Sequence, residues 1–258
     1  MTLYVKVVSN QLNNEQDLVL IHGWGFNGEV WHELLEKLLD WGYRIYVVDL
    51  PGHGQSSNVS ANNLECWAEA VWEVVPHNAI WIGWSLGGMV ALAAAFSKPK
   101  SIRALIIVGT SPRFIKGNDW LNALDPELLL EFGRLLQNDW RATLSRFLAL
   151  QIAPHQNQSL RRLRSLLFVH PPDINALNAG LNILQHADLR SQLSNITCPT
   201  LVLLGERDTL VPATLKNSLT KLVPQWKIYT FKGAGHLPFI THQEEFLNVI
   251  KNWLLDIF

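Results

Sequence analysis

Ser85, Asp208 and His236 are the residues of this chain whose types and settings suit one another chemically. A serine hydroxyl attacks a carbonyl only when a base removes its proton, and an imidazole does this best when a carboxylate fixes its tautomer and steadies the imidazolium. Ser85 stands in Gly83-Trp84-Ser85-Leu86-Gly87, a G-x-S-x-G pattern between an apolar run and an Ala-rich stretch. Nine histidines compete for the base, but His236 alone lies in a Gly-rich loop, Gly233-Ala234-Gly235, just after the last apolar run. For the acid, Asp208 is preferred to its neighbour Glu206, because Thr209-Leu210-Val211-Pro212 makes it a loop residue free to face His236. The chemistry expected is acyl transfer through a serine ester.

Those three residues need strands that end beside one another. Leu3 to Val8 reads as an edge strand, and Leu18 to Ile21, Tyr43 to Val48, Ala79 to Ile82 and Ala104 to Gly109 as further strands. Thr200 to Gly205 and Lys227 to Phe231 complete the set. Helical spacing marks Val30 to Leu39, Asn63 to Val75, Met89 to Phe96, Pro212 to Leu222 and Gln243 to Ile257. The expected fold class is therefore α/β, with a mostly parallel sheet and helices on both faces. Glycines in His22-Gly23-Trp24-Gly25, after the early strand, let backbone come close to a reacting group. The N–H groups of Trp24 and Leu86 are the expected oxyanion donors, the second at a helix N-terminus. Asp49 and His53, in Asp49-Leu50-Pro51-Gly52-His53-Gly54, read as ties for loop backbone instead of chemistry.

The alternation stops between the fifth and sixth strands. From Ser111 to Leu193 only helical segments are expected, with starts at Asp125-Pro126, Asp139, Ser159 and Asp173. The division that follows is a core of residues 1–110 and 194–258 carrying an all-helical lid at 111–193. Five arginines, Arg141, Arg146, Arg161, Arg162 and Arg164, fall between Trp140 and Pro172 with no Asp or Glu among them. Guanidinium forks bind carboxylates and phosphates bidentately, so this face suits an acidic partner or a charged small substrate.

Composition excludes some classes. A net charge of -1 offers nucleic acid or an anionic membrane no general attraction. No apolar run approaches the roughly 18 residues of a membrane span, and the first ten residues lack a signal core. Cys66 and Cys198 lie far apart among apolar neighbours and read as free thiols. A soluble, cytoplasmic monomer is expected, needing no metal or cofactor.

His22-Gly-Trp-Gly25, Asp49-Leu-Pro-Gly-His-Gly54, Gly83-Trp-Ser-Leu-Gly87, Gly205-Glu-Arg-Asp208 and Gly235-His236 together resemble an α/β-hydrolase along nearly the whole chain. The order Ser, Asp, His is the one that superfamily uses. Within it, His-Gly-Trp-Gly, Trp-Ile-Gly-Trp-Ser-Leu-Gly-Gly and Arg146-Phe-Leu-Ala-Leu-Gln151 resemble the pimeloyl-[acyl-carrier protein] methyl ester carboxylesterases of biotin synthesis. The resemblance implies hydrolysis of a carrier-bound methyl ester, with Ser85, Asp208 and His236 as the triad. It also implies Trp24 and Leu86 at the oxyanion, and Phe147, Leu148, Ala149, Leu150 and Gln151 lining the acyl pocket beside Trp24, Ser85, Leu86 and His236. The basic face would then meet the acyl carrier protein. A general short-chain carboxylesterase, a C–C hydrolase of the same fold, and a slow-turnover small-molecule receptor remain open, because a triad does not name its acyl group.

Overall fold

From Gln16 onward, runs rich in Val, Ile and Leu alternate with amphipathic stretches, and each run becomes a strand. The computed structural model describes residues 3–10, 16–57, 63–151 and 157–258, with backbone alone for 157–160, 162 and 167. Among them lie β1 (Val5–Val8), β2 (Gln16–Ile21), β3 (Tyr43–Val48), β4 (Ala79–Trp84), β5 (Ile102–Val108), β6 (Thr200–Gly205) and β7 (Lys227–Phe231). They form one sheet in the order β1-β3-β2-β4-β5-β6-β7. The edge strand β1 is antiparallel to β3, and every other neighbouring pair is parallel. Burial of β4 and β6 on both faces explains why their sequences are continuously apolar instead of alternating.

After β3 the chain crosses over β2 to reach β4, so the direction of winding reverses. Right-handed crossovers then place α1 (His32–Asp40) on one face, and α2 (Leu64–Val74) and α3 (Leu86–Ser97) on the other. The C-terminal helix α9 (Gln243–Ile257) lies with α1, where Gln243 Nε2 donates to the Glu33 carbonyl at 3.1 Å and the Lys251 ammonium sits over the Trp41 ring. In open sheets of this kind, ligands bind at the carboxyl ends of the strands flanking the reversal. Here those ends belong to β2 and β4, with Ile21 paired to Gly83. The next ends follow in register, Trp84 with Val108, Val108 with Leu203 and Gly205 with Phe231. Helix α3 is buried from Leu86 to Ala95, and its glycines and alanines let it lie close against the strands.

Between β5 and β6 come α4 (Pro126–Gln151), α5 (Asn157–Val169) and α6 (Ile174–His186). The expectation of helix alone from Ser111 fails at its beginning. Bridges of Ile115 to Leu124 and of Gly117 to Trp120 fold that stretch into a paired loop before α4. Backbone pairing there leaves no apolar period for a sequence pattern to reveal. At Asp139 the backbone leaves the helical region (φ -152°, ψ 92°) and the carboxylate accepts from Ala142 N–H at 3.0 Å, so α4 is two helical runs meeting at a kink, the second capped by Asp139 where a start was expected. The expected start at Ser159 lies within α5, which is described from Asn157 onward. Helix α7 (Leu215–Leu222) begins after Pro212, not at it, and a short helix α8 (Pro238–Thr241) precedes α9. The two roots of the insertion are tied together: Leu189 N–H donates to the Pro112 carbonyl at 2.9 Å, and Arg190 pairs with both Asp188 and Asp119. No described helix is long and apolar enough to cross a membrane.

Candidate active site

Strand β4 delivers Ser85 at a strained turn, with φ 55° and ψ -118°, a region that L-residues rarely occupy. Ser85 N–H donates to the Val108 carbonyl at 2.9 Å, and the Ser85 carbonyl accepts from Gly88 N–H and Met89 N–H as helix α3 opens. The flanking glycines are required by close approach. A Cβ on Gly83 would meet the Gly87 carbonyl, and one on Gly87 would meet the carbonyls of Ile21 and His22. Leu86 is the first residue of α3, so its N–H has no partner one turn earlier and points out at the helix N-terminus.

His236 and Asp208 meet as expected from their positions after β7 and β6. Asp208 Oδ2 accepts from His236 Nδ1 at 2.7 Å, and both side chains are fully buried. Asp208 Oδ1 is held by the N–H groups of Leu210 and Val211 at 2.8 and 2.9 Å, so the turn through Thr209 to Val211 orients the carboxylate. With Nδ1–H donating to that carboxylate, Nε2 of neutral His236 is the basic nitrogen. Nε2 is buried and makes no hydrogen bond among the described residues. A neutral imidazole nitrogen so placed can accept a proton from a hydroxyl. Gly109 (φ +52°) lies under the His236 ring, where a Cβ would press on Nδ1 and Cε1. Thr110 Oγ1 donates to the Ser85 carbonyl at 3.1 Å. Neither was foreseen in the sequence, although both follow the apolar run of β5 and so stand at the strand end facing the serine.

Trp24 is turned by Gly25 (φ +77°) and by a Phe26 N–H bond to the Gly23 carbonyl. Its indole Nε1 donates to the Leu177 carbonyl of α6 at 2.8 Å, and its ring meets Phe147 of α4 edge-on at 4.8 Å. Helices α4 and α6 therefore cover the loop that carries Trp24. The end of α4 also reaches His236 and the Asp208 turn: the Gln151 carbonyl accepts His236 N–H at 2.9 Å, and the Leu150 carbonyl accepts Thr209 Oγ1 at 2.8 Å. The result is a closed site, with Ser85 4% and His236 1% exposed.

Helical geometry divides the expected pocket residues Phe147 to Gln151 between two faces. Phe147, Leu148 and Gln151 face inward, whereas Ala149 and Leu150 are exposed. Five consecutive residues of a helix cannot share one face, because each step turns about 100°. The buried Gln151 Oε1 has no partner among the described residues. Of the arginines, Arg141, Arg146, Arg161 and Arg164 are exposed, and Arg141 lies over the Trp140 ring at 4.4 Å. The Arg162 side chain falls outside the described residues.

His22, His53 and Asp49 tie loops, as their turn-like setting suggests. Leu50 N–H donates to His22 Nε2 at 2.9 Å and Gly25 N–H to His53 Nε2 at 3.3 Å, so both rings are neutral acceptors there. Burial lowers His22 to about 4 and His53 to about 3. Asp49 accepts from Gly28 N–H at 2.6 Å and Gln55 N–H at 2.9 Å, while burial raises its pKa. Among the described residues, no cluster of three or more His, Cys, Asp or Glu is placed to hold a metal ion.

The alpha/beta hydrolase family model matches residues 18–249. A pimeloyl-[acyl-carrier protein] methyl ester esterase from Photobacterium profundum is 42% identical over 92% of this chain and 94% of its own length. The protein of the same name from Vibrio cholerae is 41% identical over 90% of this chain and 91% of its own. Among solved structures, an esterase from Exiguobacterium antarcticum superposes with a TM-score of 0.88 at 22% identity, covering 97% of this chain and 94% of that one, a likeness of fold. The loops that bring Ser85, Asp208 and His236 to one end of the sheet are thus those of a known fold, and the chain belongs to the alpha/beta hydrolase family, grouped with the pimeloyl-[acyl-carrier protein] methyl ester esterases.

Proposed function

We propose that the protein is a serine carboxylesterase that hydrolyses the methyl ester of pimeloyl-[acyl-carrier protein], the substrate in the name of its relatives at 41–42% identity. The observation that carries the chemistry is the buried 2.7 Å bond from His236 Nδ1 to Asp208, which leaves Nε2 as the basic nitrogen, at the same end of the sheet as the strained Ser85. His236 takes the Ser85 proton as Oγ attacks the ester carbonyl. The N–H groups of Trp24 and Leu86 hold the oxyanion, each such donor contributing about 3 kcal/mol in the transition state. Methanol leaves with the proton that His236 returns. Water, deprotonated by His236, then cleaves the acyl-enzyme, freeing the carboxylate and restoring Ser85. No step requires a metal or cofactor.

The helical insertion acts in this scheme as a lid. Phe147, Leu148 and Gln151 line the acyl side, and Arg141, Arg146, Arg161, Arg162 and Arg164 meet the acidic carrier. Exposure of the four described guanidinium groups, without a carboxylate partner among the described residues, supports that role. The enzyme works as a cytoplasmic monomer, in keeping with two unpaired cysteines. An acid quench of enzyme turning over the carrier-bound ester tests the chemistry. Denaturing electrophoresis should show a covalent conjugate of enzyme and carrier, mapped to the Ser85 peptide. Undiminished turnover by Ser85→Ala would contradict it.

A further inference from the structure

Ser85 and His236 lie on loops from opposite sides of β5, and something must set their spacing. Trp84, the variable residue of the G-x-S-x-G pattern, reaches both. Its indole Nε1 donates to the His236 carbonyl at 3.0 Å, and its ring lies 5.6 Å from the imidazole. Phe239 of α8 packs on the same indole at 5.4 Å, from three residues beyond the base. The oxyanion loop rests there too. Phe26 meets the indole edge-on at 5.0 Å, and Gly23 lies so near that a Cβ would come within 3.0 Å of the ring. One buried side chain therefore touches the loop of the base and the loop of the oxyanion hole, while its own backbone runs directly into the nucleophile.

We infer that Trp84 is a positioning residue for catalysis, whose indole N–H holds the His236 loop at the height where Nε2 can take the Ser85 proton. The inference rests on the serine-esterase reading above. The His236 backbone is pinned at its N–H by Gln151 and at its carbonyl by Trp84. The Gln151 tie comes from the insertion, whereas the Trp84 tie comes from the sheet itself. Only the second fixes the base against the nucleophile's own strand. A ring that merely filled space would not need its nitrogen: Trp81, on the same strand and equally buried, has an Nε1 without a partner among the described residues.

That contrast supplies the control. Trp84→Phe keeps an aromatic ring and removes the donor, and Trp81→Phe removes a donor that binds nothing. The readouts are the rate of Ser85 labelling by a fluorophosphonate, kcat and KM on a small free methyl ester, and the melting temperature. The expected result is a fall of about tenfold in labelling rate and kcat for Trp84→Phe, with KM and melting temperature close to the parent. Trp81→Phe should match the parent in labelling and kcat. Parent-like rates in Trp84→Phe would overturn the inference, and so would equal losses in the two variants or a loss that tracks a lower melting temperature. A parent protein that phosphonate does not label at Ser85 would instead overturn the serine-esterase reading.

Discussion

Ser85 lies more than a hundred residues before Asp208 and His236, and the three differ in what surrounds each. The Asp208 carboxylate is oriented by two backbone N–H groups and one imidazole, and in the proposed mechanism it fixes the His236 tautomer. Asp208→Asn retains the shape but misplaces the proton on His236, and kcat should fall on the order of 10³–10⁴-fold with little change in KM. Steady-state kinetics on a free methyl ester check this, and a loss below tenfold would contradict the tautomer argument. The histidines that do no chemistry have their own signature. In the unfolded chain His22 and His53 bind a proton near 6.5, but in the fold only near 4 and 3. Between pH 6.5 and 4 the unfolded state therefore binds more protons, so stability is complete above that window and declines as pH falls through it. Each histidine contributes a slope of up to about 1.4 kcal/mol per pH unit. Urea midpoints measured from pH 7 to pH 4.5 should fall less steeply for His53→Gln than for the parent. Parallel curves would show that burial does not hold His53 neutral.

At the scale of elements, helix α4 has two duties on opposite faces. Its inner face carries Phe147 against Trp24 and Phe132, and its last two carbonyls receive Thr209 Oγ1 and His236 N–H. Its outer face carries Arg141 and Arg146. Charge reversal at Arg146 together with Arg161 should raise KM for the carrier-bound ester about tenfold or more and flatten its dependence on salt, while kcat/KM for a small free ester stays put. Equal loss on both substrates would locate the damage in the pocket. The arginines were legible in the sequence because a run without acidic residues is a compositional fact. The division of Phe147 to Gln151 into inner and outer residues was not, since motif wording carries no helical phase. The bridged loop at Ile115 to Leu124 was hidden for a related reason: backbone pairs hold it, and backbone pairing leaves no periodic pattern of side chains.

Across the whole molecule, seven strands and their order of alternation were readable from apolar runs bounded by glycine, and the sheet follows from them. Ser85, Asp208 and His236 could be singled out because strand ends are where such a sheet can present side chains. Trp84 could be placed beside Ser85 but given no task, because eleven tryptophans share the chain and only geometry shows which indole N–H meets the His236 loop. The same holds for Gly109 and Thr110, which acquire meaning only when β5 is laid between β4 and β6. A near-neutral protein with net charge -1 carries exposed Arg141, Arg146, Arg161 and Arg164 between β5 and β6, so the attraction proposed for an acidic partner is local, not general.

The most direct measurement is methanol release from pimeloyl methyl ester attached to acyl carrier protein, compared with a small free methyl ester at equal concentration, with Ser85→Ala as blank. A kcat/KM at least tenfold higher for the carrier-bound ester is the expected result. Equal or faster release from the free ester would contradict the assignment of the carrier-bound substrate and leave a general carboxylesterase.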